Sequence, residues 1–149
     1  MRYFLDTEFN GMGGELISLA LAREDDKVGF YLATRFMSKP VPWVSDNVIP
    51  VVKCLGARPV ICSADAIGTA IMSFLFNDHD PVIVADWPDD ISYFCKALIV
   101  GPGKMVDIPS LKFEMIRVDA YPTTLPGAVQ HNALWDARAL RHKVMGDVQ

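Results

Sequence analysis

Cysteine, unbroken apolar sequence and surplus positive charge are all scarce in this 149-residue chain. Its three cysteines, Cys54, Cys62 and Cys95, are far apart and form no C-x-x-C pair. That speaks against a disulfide framework or a thiolate zinc site and for buried free thiols in a reducing compartment. No apolar run reaches the roughly 20 residues of a membrane span. No basic, apolar leader precedes the first strand-like segment, which points to the cytoplasm rather than to secretion. Repeats and low-complexity segments are missing too. The net charge of -4 argues against indiscriminate electrostatic binding of nucleic acid. It leaves a nucleic-acid substrate open, because a metal-dependent nuclease carries acids that its own cations neutralise.

What is present suffices for a core. Hydrophobic residues make up 51% of the chain, and a chain of this length folds as one domain, here residues 1–149. "RYFLDTEF" reads as a first strand, "NGMGG" as a turn, and "ELISLALAR" and "KVGFYLATRF" as second and third strands around the charged turn "EDD". Residues 38–61, rich in Pro and Val, hold a short helix near "WVSDNVIPVV" and an irregular connection. Ser63 caps a helix whose Ile67, Ala70, Ile71, Phe74 and Leu75 recur at helical spacing. "PVIVADW" is a buried strand, "DDISYFCKALI" a helix ended by "GPGK", and "LKFEMIRV" a last strand. After the loop "LPGAVQ", Asn132 caps a final helix with Ala133, Leu134, Ala137, Leu140 and Val144 inward and Arg138, Arg141, His142 and Lys143 outward. The order β-β-β-α-β-α-β-α predicts an α/β fold. Its mixed β-sheet has an antiparallel three-stranded meander plus parallel strands, with helices on its faces, which matches the ribonuclease H-like architecture.

Acids stand at three element ends. Asp6 and Glu8 lie two apart on the first strand, hence on one face, roughly 7 Å apart. Burying two like charges side by side is costly unless a cation compensates. Asp86, Asp89 and Asp90 lie where a buried strand passes into a helix, and His131 and Asp136 where a loop enters the last helix. Asp136 borders the apolar stripe and so points to the sheet. His131 sits on loop backbone, where a general base can reach a water. Carboxylates from several elements suit two divalent ions that activate water and stabilise the leaving oxygen at phosphorus. Hard oxygen ligands select Mg²⁺ or Mn²⁺.

In this order the residues resemble the DEDDh 3′-5′ exonucleases. D-x-E stands on the first strand, an Asp at a mid-chain strand-to-helix junction, and H-x-A-x-x-D (His131, Ala133, Asp136) near the end. "MRYFLDTEF", "WVSDNVIP" and "HNALWDAR" look in particular like RNase AS and its phage-borne relatives. The resemblance implies two-metal hydrolysis of single-stranded RNA from a free 3′ end to nucleoside 5′-monophosphates. It implies no membrane partner and admits a homodimer. Its setting is the cytoplasm, or the host cytoplasm for a phage protein. It assigns Asp6, Glu8, Asp90 and Asp136 as metal ligands and His131 as general base. The family pattern has a polar residue at the strand end and the ligand four residues on, so Asp86 takes the polar position and stands as reserve ligand. Asp89 then caps the helix. Phe9 matches the position that packs on the terminal nucleotide, or is an ordinary core Phe. Thr7, Trp87 and Trp135 flank site acids and are placed with it at the substrate, the tryptophans either stacking on a base or simply packing. Single-stranded DNA as substrate and a non-catalytic ribonuclease H-like nucleic-acid-binding module are the alternative readings.

Overall fold

A computed structural model describes residues 1–108, 110–118 and 125–146. The first three strands are β1 (Arg2–Phe9), β2 (Leu16–Arg23) and β3 (Gly29–Thr34), joined as an antiparallel meander. Then come α1 (Pro42–Asn47), β4 (Val60–Cys62), α2 (Ile67–Leu75), β5 (Val82–Ala85) and α3 (Pro88–Ala97). A small hairpin of β6 (Ile99–Gly101) and β7 (Lys104–Met105), then β8 (Lys112–Met115) and α4 (Ala133–Met145), complete the order. Six strands form one mixed sheet in the order β4-β3-β2-β1-β5-β8, with β3–β4, β1–β5 and β5–β8 parallel.

The two-residue period of β1 sorts its side chains onto two faces. Tyr3 and Leu5 join Leu19, Leu21 and Ile83 under α2 and α3, where Ile67, Ile71, Leu75, Phe94 and Leu98 cover them. Phe4 points the other way and joins Ala20, Ala22 and Val84 under Ala133, Leu134, Ala137 and Leu140 of α4. Small residues on both sides of that second contact, Ala20 and Ala22 against Ala133 and Ala137, let α4 lie close to the middle of the sheet. Continuing the period, Asp6 and Glu8 fall on the α4 face, and Thr7 and Phe9 on the α3 face.

Several sequence expectations are corrected. Val60 and Ile61, expected within an irregular connection, form edge strand β4 with Cys62, because Leu32–Thr34 of β3 leave a free side for parallel pairing. Ser63 precedes a 3₁₀ turn (Ala64–Ala66) without a side-chain capping bond, and α2 starts at Ile67. The chain after α3 does not simply break at Gly101 but turns back as the β6–β7 hairpin. Arg141 points inward, not outward: it is 6% exposed, donates from Nε to the Glu24 carbonyl at 3.0 Å and lies 3.9 Å from Asp26. No helix among the described residues is long and apolar enough to cross a membrane.

Candidate active site

The carboxyl ends of β1 and β5 meet the start of α3 and the start of α4, and a cleft of about 670 Å³ opens between them. Asp6, Glu8, Asp86, Asp90, His131 and Asp136 all line it. Their donor atoms fall into two groups. Oxygens of Asp6, Asp86 and Asp90 lie within 4.8 Å of one another, as do ligand atoms of Glu8, His131 and Asp136. The structure therefore brings Asp86 together with Asp90.

Each side chain is set by local structure. Pro88 starts α3 at its first turn, where its missing N–H costs nothing. Asp90 is then two residues into the helix and turned toward β1. One of its oxygens accepts the Thr7 backbone N–H at 3.0 Å and the Thr7 hydroxyl at 2.6 Å. Thr7 is 5% exposed, so although it borders the cleft its hydroxyl is spent on Asp90. Asp89 makes no capping bond and instead accepts the Trp87 indole N–H at 3.2 Å.

On the opposite wall Asn132 caps α4, accepting the Trp135 N–H at 3.1 Å. Its side-chain amide donates to the Val51 carbonyl at 2.8 Å and to the Tyr31 hydroxyl at 3.1 Å. This ties the cap to the segment after α1. His131 adopts a left-handed conformation (φ 63°), rare outside glycine. That turn directs its backbone N–H onto an Asp136 oxygen at 2.9 Å. Its ring meets the Trp43 ring edge-on, centroids 4.9 Å apart.

The electrostatics follow from crowding in a dry place. Burial, then Asp90, Asp136, Glu8 and Asp86, hold the Asp6 carboxyl well above the usual range. Burial with Asp136 and Asp90 pushes Glu8 up to about 8. Burial raises Asp90 to about 7, against the pull of the two Thr7 hydrogen bonds. Asp86 is raised by burial and eased back by Lys143 and Arg117. Burial lowers His131, favouring its neutral form. One Asp6 oxygen is buried with no hydrogen-bond partner among the described residues. A buried acceptor of that kind, among other oxygen donors, fits a divalent cation.

The remaining candidates divide. Phe9 lines the cleft and stacks on Tyr93 at 4.6 Å. Trp87 lines it and is 50% exposed. Trp135 does not line it: its indole N–H donates to the Leu55 carbonyl at 3.2 Å, and its ring lies against Gly56. A Cβ on Gly56 (φ 78°) would approach that ring to 2.9 Å, so Trp135 is packing for the 52–58 segment. Several contributors escaped sequence reasoning. Met12 and Trp43 line the cleft, and Trp43 is 55% exposed. Its signal was a Pro-Trp pair opening a helix inside an otherwise unassignable stretch. Tyr93 follows Asp90 by three, a spacing that shares a helix face. No family model matches the chain, and no curated protein matches it.

Proposed function

We propose that the protein is a metal-dependent 3′-5′ exoribonuclease with a ribonuclease H-like fold, of the DEDDh type, acting on single-stranded RNA. One observation carries the reading. Asp6, Glu8, Asp90 and Asp136, from β1, α3 and α4, meet with His131 in one cleft, where burial and neighbouring acids raise the Asp6, Glu8 and Asp90 carboxyls. The motif order in the sequence supports it independently, as does the meander followed by parallel strands.

Asp6, Asp90 and Asp86 would hold one Mg²⁺ or Mn²⁺, and Glu8 and Asp136 the second. When bound, such ions neutralise the scissile phosphate and acidify the attacking water. The chain's own residues do the rest. His131, kept neutral by its half-buried setting, accepts a proton from that water. The His131 N–H fixes the Asp136 carboxylate, and Thr7 fixes Asp90. Phe9 on Tyr93 and the exposed Trp43 and Trp87 give flat apolar walls for the terminal nucleotide. The cleft volume suits a nucleotide.

The test is digestion of matched single-stranded RNA and DNA oligomers, labelled at the 5′ end, with Mg²⁺, Mn²⁺ or EDTA. Stepwise shortening of RNA from the 3′ end, lost in EDTA and in Asp6→Ala, is the expected result. Preference for DNA would move the reading to a deoxyribonuclease. No hydrolysis of either, with nucleic acid still bound, would leave a binding module.

A further inference from the structure

Among the described residues six acids line the cleft, and neither lysine nor arginine does. Cations at the carboxylates would answer the scissile phosphate; a second phosphate of the strand would call for a positive charge of its own. Lys143 borders the narrow crevice behind Asp6, Asp86 and Asp136 rather than the cleft. Arg117 is placed differently.

β5 and β8 run parallel, and the Ile116 N–H donates to the Ala85 carbonyl at 2.9 Å. The two chains therefore leave the sheet side by side on the edge that carries the site. One continues as Asp86 and Trp87, the other as Arg117. The Arg117 guanidinium lies 5.5 Å from the centroid of the Trp87 ring, within cation–π range. Trp87 is itself fixed, its indole N–H on Asp89, and it forms part of the cleft wall. Arg117 is exposed and has no ion pair among the described residues. Trp87 lines the cleft, so the guanidinium over its ring stands next to that wall. A guanidinium oriented by an aromatic face beside the wall of an acidic cleft, and in no ion pair among the described residues, is suited to two-pronged contact with phosphate oxygens.

We propose that Arg117, held over Trp87, binds the phosphodiester one nucleotide upstream of the scissile bond of a single-stranded RNA. The inference rests on the nuclease reading above. It makes Arg117 a substrate-binding residue and gives Trp87 the role of orienting it.

Binding is measured by anisotropy of a 5′-labelled oligoribonucleotide across a KCl series, with Ca²⁺ replacing Mg²⁺ to suppress turnover. Hydrolysis by the unaltered protein with Mg²⁺ or Mn²⁺ is measured separately. Arg117→Ala is expected to weaken binding about three- to tenfold and to flatten the log–log salt dependence by about 0.7, one phosphate's worth for a single strand. Arg117→Lys should keep the slope and lose part of the affinity, and Trp87→Leu should lose a similar part with the arginine present. An Arg117→Ala protein of unchanged melting temperature that binds with unaltered affinity and salt slope overturns the proposal while the nuclease reading stands. An unaltered protein that hydrolyses no RNA overturns both.

Discussion

Thr7 gives both its backbone N–H and its hydroxyl to a single oxygen of Asp90, at 3.0 and 2.6 Å, across 83 residues of sequence. The bond pins α3 to β1 at the point where the acids converge. Asp90 also offers a carboxylate oxygen to the cluster with Asp6 and Asp86. Supporting contacts of this kind orient metal ligands, and losing one typically costs ten- to a hundredfold in metal affinity or activity. Thr7→Val keeps shape and the backbone bond but removes the hydroxyl. We expect kcat to fall about tenfold, with a higher Mg²⁺ requirement, and Thr7→Ser to recover most of it. Equal kcat and metal dependence in Thr7→Val would remove Thr7 from the site.

His131 shares a donor cluster with Glu8 and Asp136, so the proposed role as base needs separating from a role as ligand. His131→Ala is expected to lower kcat about 10²- to 10⁴-fold, while calorimetric titration of Mn²⁺ keeps the stoichiometry of the unaltered protein. Asp136→Asn should lose both. A His131→Ala protein that binds one metal fewer would make the histidine a ligand.

Without metal, stability should fall as pH rises. The folded protein holds protons on Glu8 up to about 8 and on Asp90 up to about 7, whereas their ordinary values are 4.5 and 3.8. Between those limits the folded state binds more protons than the unfolded one, so stability is fully present at acid pH and is lost as pH climbs through 7 to 8. Under the proposed reading divalent cations would replace the protons, so Mg²⁺ should raise the melting temperature most at the alkaline end. Scanning fluorimetry from about pH 5 to pH 8.5, with EDTA or Mg²⁺, checks both signs. A metal-free melting temperature that rises with pH would contradict the crowding of these acids.

Asn132 is fully buried and joins four partners: the Trp135 N–H, the Val51 and Val52 carbonyls and the Tyr31 hydroxyl. Asn132→Ala removes a helix cap and takes the amide donor from the part-buried Val51 carbonyl. The expected loss is about 2–4 kcal/mol in urea unfolding. Asn132→Asp should keep the cap but lose the amide donors, falling in between. A loss below about 1 kcal/mol would make the cap dispensable.

Local spacing alone determined a good part of this molecule. The alternation of β1 put Asp6 and Glu8 on one face, and the stripe of α4 put Asp136 toward the sheet. Asn132 as a cap and the run of a meander followed by alternating helices and strands were equally legible, because each depends on residues within a few positions of one another. Tertiary structure decided the rest. Thr7 serves Asp90 rather than lying free for a substrate, Asp86 stands with Asp6 and Asp90, and Trp135 packs on the 52–58 segment outside the cleft. Arg141 turns inward because the Glu24 carbonyl waits there for its Nε, 117 residues away in sequence. Trp43 reaches His131 only because Val44 and Val48 anchor α1 on Ile17 of β2. Periodicity assigns a side chain to a face. Which distant group meets it there depends on how the helices and loops settle on the sheet, and no short stretch of sequence carries that.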